Sequence, residues 1–243
     1  MSEMVKSSIG FFAIWCNKLL PEVSKITEPK ETTAKTDNSS QANAHGIKTR
    51  DAGWIDVGDI TISLKDIGDT TYADLKAAQR ARTKGILELP YAPLGSGRSI
   101  QGQAFISEVT HGHADDGGAQ TIEVVFTPTS YFSELSTPAT GLSGLSVVDE
   151  DAHAISISPA FGAAVYEYDA TAYIGSASVL ITPTGSGTIY VNGSDVTSGE
   201  ASAAIPIGQT QGDVTMIAVV CSESNKSSKI YLLRVKMGNA AYA

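Results

Sequence analysis

Cysteine, tryptophan, basic charge and long apolar runs are all scarce in this chain of 243 residues, and each scarcity closes off a class of function. Its two cysteines, Cys16 and Cys221, stand far apart with no CxxC spacing. Neither a zinc ribbon nor a disulfide framework is encoded, and both thiols read as small buried hydrophobes. No apolar run approaches the ~20 residues of a membrane-spanning helix, so no membrane anchor is expected. Lys and Arg number 17 against 26 Asp and Glu, a formal charge of −9. Gripping nucleic acid through its phosphates needs a dense basic surface, so binding DNA by charge is disfavoured. The chain also holds no P-loop, no GxGxxG between strand and helix, no HExxH, no GxSxG elbow and no EF-hand loop. The expectation is a protein without catalytic residues or cofactors.

What is present is hydrophobic material in ordinary amount, 42% of residues, enough for one large or two small cores. The run Ile9–Cys16 follows Lys6 and faintly resembles the apolar part of a secretory leader. Glu3 sits where such leaders are basic, and bulky Ile14-Trp15 occupies the positions where cleavage wants small side chains. A buried first strand and cytosolic synthesis are the reading, and the sequons at Asn38, Asn192 and Asn225 are then coincidental.

Composition shifts around Thr137-Pro138-Ala139-Thr140-Gly141, a breaker-rich stretch. Residues 1–138 carry 13 basic and 17 acidic residues, and residues 139–243 only 4 and 9. The expectation is two domains, 1–138 and 139–243, joined by a short linker. In the first, Ile60-Thr61-Ile62-Ser63-Leu64-Lys65 alternates strictly, as a half-buried strand does. Thr71-Tyr72-Ala73-Asp74 reads as a capping box in which the Thr71 hydroxyl accepts from an amide one turn in. A helix follows, with Tyr72, Leu75 and Ala78 as its apolar stripe and Lys76, Arg80, Arg82 and Lys84 turned to solvent. Strands are expected at Gly85–Tyr91, Ile100–Thr110 and Gln120–Thr127.

The stretch from about Glu31 to Gly53 reads as a long polar loop with almost nothing to bury in a monomer. Loops of this length are usually functional or disordered, so ordering by another subunit is expected. The second half instead offers short segments rich in β-branched and aromatic residues at regular spacing. They run from Leu145–Val148 to Lys229–Val235, with turn signals such as Asn192-Gly193 between them, the pattern of an immunoglobulin-like β-sandwich.

Chemistry-bearing clusters are few. His111-Gly112-His113-Ala114-Asp115-Asp116 holds metal-ligand residue types, but all sit in one Gly-rich hairpin loop, whereas metal sites draw ligands from separate rigid elements. A solvated turn is the simpler reading. Asp149-Glu150-Asp151 reads as an acidic turn between strands, and Asp66-Ile67-Gly68-Asp69 as charge at a helix start. Gly95-Ser96-Gly97-Arg98 reads as a hairpin connection before it reads as an anion nest.

Residues 9–135 resemble the major tail tube proteins of long-tailed bacteriophages. The features that carry this are the strand Ile9–Cys16, a second strand around Ile26–Thr36, the long polar loop, the run from Trp54-Ile55-Asp56-Val57 to Ile62-Ser63-Leu64, the helix opened by Thr71-Tyr72-Ala73-Asp74-Leu75, and the closing strands. Residues 142–236 resemble bacterial cadherin-like or Ig-like modules through Leu142-Ser143-Gly144-Leu145-Ser146-Val147, Tyr166-Glu167-Tyr168, Tyr190-Val191-Asn192-Gly193 and Lys229-Ile230-Tyr231-Leu232-Leu233-Arg234-Val235. Asp149–Ala154 departs from the Gly-rich opening turn usual in that family.

The resemblance implies a mainly-β protein: a tail-tube β-sandwich or barrel with one flanking α-helix, followed by an Ig-like β-sandwich. It implies a virion protein that self-assembles into stacked hexameric rings, with tape measure and tail terminator or baseplate proteins as further partners. DNA would pass through the lumen without specific binding. Ring contacts are expected from the polar loop, at Lys35, Asp37, Asn38, Gln41, Asn43, Lys48, Arg50 and Asp51. The rival class is a bacterial surface or adhesive protein whose Ig-like module binds glycans or acts as a spacer. An enzyme with His111, His113 and Asp115 on a metal ranks third.

Overall fold

The computed structural model describes residues 12–37, 50–91, 97–112, 120–240 and 242. In the first half these form β1 (Ile14–Trp15), β2 (Lys18–Leu19), β3 (Val23–Ile26), β4 (Glu31–Asp37), β5 (Arg50–Val57), β6 (Ile60–Lys65), α1 (Thr71–Arg80), β7 (Lys84–Pro90), β8 (Ser99–Gly112), β9 (Thr121–Pro128) and β10 (Ser133–Leu135). The second half adds β11 (Leu142–Asp149), β12 (Ala154–Ile155), β13 (Ile157–Ser158), β14 (Glu167–Ala172), β15 (Ser178–Gly185), β16 (Thr188–Val191), β17 (Ser194–Val196), β18 (Ile205–Pro206), β19 (Val214–Ser222) and β20 (Lys229–Met237). The chain is thus mainly β with one helix among the described residues.

Contacts divide the chain into two compact units. One is Glu22–Gly85 with Gly102–Phe132. The other joins Ser133–Ala243 to Ile86–Gln101 and to the chain start through Pro21.

In the first of these units the antiparallel order is β8, β9, β6, β3. The alternation read from residues 60–65 is realised: Ile60, Ile62 and Leu64 are fully buried and sit opposite Phe126, Val124 and Ile122 of β9, so apolar side chains pair across the ladder. A bulge between Ile106 and Glu108 of β8 interrupts its pairing with β9. Gly102 is fixed by packing, because a Cβ there would lie 2.5 Å from the Phe132 ring.

In the other unit β1 lies between β2 and β7, and β10 pairs with the opening residues of β8. The sandwich itself is a sheet β12-β11-β15-β18 and a sheet β13-β14-β20-β19-β16-β17, all antiparallel except β14 against β20. Tyr168, Ile181, Ile189, Ile217, Tyr231 and Leu233 are among the side chains filling the core between them. The opening hairpin left open by the departure at 149–154 does form, with Val147 opposite Ile155 and Val148 opposite Ala154, and Ala152 takes the positive φ of 64° that glycine would supply.

Candidate assembly surfaces

The two described ends of the stretch that reads as a structureless polar loop, 31–37 and 50–53, lie on paired strands. Glu31 pairs with Val57, Thr33 with Ile55, Lys35 with Ala52, Thr36 with Asp51 and Asp37 with Arg50. Polar strands of this kind escape a periodicity reading because neither face has a core to meet. Between Thr33 and Lys35 the register slips by one residue, the signature of a bulge that increases local twist. Among the described residues β4 and β5 pair only with each other, as a separate two-stranded sheet. Such a ribbon leaves a row of backbone donors and acceptors open on each outer edge, and alone it is marginally stable in water.

Of the expected contact residues, Lys35 is exposed on β4. The fold brings Asp37 and Arg50 into one cross-strand pair and places Asp51 one step further along. Asn38, Gln41, Asn43 and Lys48 lie outside the described residues. At the foot of the ribbon a groove of about 250 Å³ runs between Ile55–Val57 and Pro128–Tyr131, with Ile55 and Tyr131 exposed at 45% and 59%.

Helix α1 begins differently from the capping box expected of Thr71. Its N-cap is Thr70, whose side chain makes no cap bond. Asp69 does that work instead, its carboxylate accepting from the Thr71 N–H at 2.9 Å and from the Thr71 hydroxyl at 2.8 Å. Thr71 and Leu75 are its buried residues. Nor is Lys76 a free surface charge. Its Nζ donates to the Val109 carbonyl at 2.8 Å, and Gln79 Nε2 donates to the Ser107 carbonyl, at the β8 bulge. The helix is therefore tied by side-chain hydrogen bonds to the backbone of β8.

His111 is engaged within the same unit, its ring 3.7 Å from that of Tyr72 and its Nδ1 3.5 Å from Asp66. His113, Asp115 and Asp116 lie outside the described residues. Among the described residues no three His, Cys, Asp or Glu side chains are grouped to hold a metal ion. Arg98, just before β8, pairs with Glu134 on β10; the start of its glycine-rich connection, through Ser96, is outside the described residues.

The acidic turn of the sandwich is structural. Asp149 is nearly fully buried, and its carboxylate accepts from the N–H groups of Asp151 and His153 and meets His153 Nδ1 at 2.9 Å. Burial pushes its acidity down, yet the His153 and Asp151 bonds outweigh it and hold the carboxyl below its ordinary value. Glu150 accepts from the Ala177 and Ser178 N–H groups and is likewise held low, first by the Ala177 bond. Cys221 lies inside the core, where burial pushes its thiol up to about 12, so it is inert; Cys16 is only half-buried.

One polar site has no counterpart in the sequence reading. Glu88 on β7 is 2% exposed, and it accepts from the hydroxyls of Ser99 and Ser228 and from the Ser228 N–H. In Ile86-Leu87-Glu88-Leu89 a glutamate alternating with leucines looks like the solvent side of a strand, which is why it passes unnoticed.

Residues 146–236 match the cadherin-like beta sandwich domain. That stretch covers β11 from its midpoint through nearly all of β20. No curated protein matches the chain by sequence. Among solved structures, a chain from the tail of an empty GTA particle with C6 symmetry is similar at 12% identity and TM-score 0.39, over 48% of this chain and 84% of that one. A chain from the virion of a native gene transfer agent is similar at 11% identity and TM-score 0.41, over 53% and 98%. A chain of the anti-feeding prophage baseplate, 6-fold symmetrised, is similar at 10% identity and TM-score 0.41, over 56% and 98%.

Proposed function

We propose that this protein is a non-enzymatic structural subunit of a phage tail tube. The assembling surfaces lie within residues 1–138, and residues 139–243 form an appended cadherin-like sandwich. The chain associates with itself into hexameric rings that stack, within the virion, into a conduit for DNA; tape measure and tail terminator or baseplate proteins are its further partners. The observation that carries the reading is the β4–β5 ribbon, a polar two-stranded sheet whose outer edges are unpaired among the described residues. A monomer gains little from ordering such a ribbon, whereas a neighbouring copy that pairs with its edges offsets the entropy cost. The net charge of −9 agrees with a lumen that lets phosphates pass without holding them.

Replacing residues 34–54 with a short Gly-Ser turn tests this. Light scattering after size exclusion should find assemblies for the full chain and monomers for the shortened one, with circular dichroism losing only the β signal of the removed arms. Equal assembly by both chains would remove the ribbon from the interface.

A further inference from the structure

We infer that the sandwich does not hang from a flexible linker but is locked to the chain's first-half segments, residues 12–20, 86–91 and 97–101, through a buried Glu88 latch. These segments and the sandwich fold and open as one cooperative unit. The inference stands apart from the assembly reading, because every residue in it belongs to one chain.

Two kinds of contact meet at one place. The pairing of β1 with β7 sets Ile14 opposite Glu88. Ile14 packs with Val220 and Ile230, all three at 3% exposure or less, and Phe12, Leu19, Tyr190 and Leu232 surround them. Val220 and Ile230 are cross-strand partners on β19 and β20, on the sheet face turned away from the sandwich's own core. A free-standing sandwich would show that face to water; here the N-terminal hairpin covers it.

Beside this apolar contact lies the polar one. Glu88 Oε1 accepts from Ser99 Oγ at 2.7 Å and from the Ser228 N–H at 2.8 Å, and Oε2 accepts from Ser228 Oγ at 2.6 Å. A carboxylate is buried at this depth only when its oxygens are satisfied, and here one donor residue comes from β8 and the other from the turn entering β20. The neighbouring residue of that turn is held from the other side: the Ser227 N–H donates to the Thr137 carbonyl and the Ala139 N–H to the Ser227 carbonyl, both at 2.8 Å. The stretch that reads as a linker is thereby hydrogen-bonded in place.

Amide hydrogen exchange by NMR on the full chain tests the latch. The Cys16 and Leu20 amides, bonded to the Ile86 and Ala13 carbonyls, should exchange within about tenfold of the sandwich amides of Leu232 and Ser202. Glu88→Ala strands three buried donors and should speed Cys16, Leu20 and Ser228 exchange by about tenfold or more. Ser228→Ala, which removes one hydroxyl and leaves the carboxylate, should move the same amides in the same direction by less. Exchange of Cys16 and Leu20 more than about a hundredfold faster than Leu232 in the unaltered chain would overturn the inference, and so would unchanged Cys16 and Leu20 exchange in both variants.

Discussion

Tyr231 and Asp149 each hold one end of the sandwich's first strand. The buried Tyr231 hydroxyl accepts from the Leu142 N–H at 3.1 Å, and burial pushes its acidity to about 12, so it stays protonated at any ordinary pH. Tyr231→Phe should leave that N–H without a partner and cost about 1–3 kcal/mol in denaturant unfolding. Gly141 next to it has φ +86°, and a Cβ there would come within 2.5 Å of the Tyr231 hydroxyl, so Gly141→Ala should be destabilising as well. At the other end, Asp149 and Glu150 have folded values below their ordinary 3.8 and 4.5. A lowered folded value means the stabilisation is complete above the ordinary value and is lost as pH falls through the lowered one. The melting temperature should therefore drop below about pH 4, and Asp149→Ala should drop less steeply there because its share is already gone. Neither role was legible residue by residue. Asp149-Glu150-Asp151 shows acidity in a turn, but the backbone groups those carboxylates bind come from the folded turn and from residues 177 and 178.

At the scale of elements, legibility followed the presence of a core. β6 and β9 announce themselves because their alternating residues meet across a ladder, and Ile62→Ala should cost about 2–5 kcal/mol as a buried large-to-small change. The sandwich strands were legible for the same reason, with β-branched residues facing one interior and turn residues between. The β4–β5 ribbon was only partly so: the strand expected around Ile26–Thr36 overlaps β4, but the pairing of β4 with β5 rests on backbone bonds between polar strands. Helix α1 was placed correctly and Arg80, Arg82 and Lys84 are exposed as expected, whereas Lys76 reaches a backbone carbonyl on a strand some thirty residues away that no local pattern reveals. The double change Lys76→Ala and Gln79→Ala should uncover the Ser107 and Val109 carbonyls and destabilise the fold by about 1–2 kcal/mol, read by urea unfolding.

At the scale of the whole molecule, composition bounded function more firmly than any motif did. An acidic chain with few basic residues speaks against a charge-driven grip on DNA. The order of elements then pointed to a tube subunit followed by a sandwich. The interior packing of the sandwich follows the binary pattern of its strands, whereas the Glu88 latch depends on tertiary proximity between residues 140 positions apart, which no local pattern encodes. Electron microscopy of the concentrated, purified protein tests the central claim most directly. The account predicts hollow six-fold rings stacked into tubes; a uniform population of monomers at every concentration would contradict it.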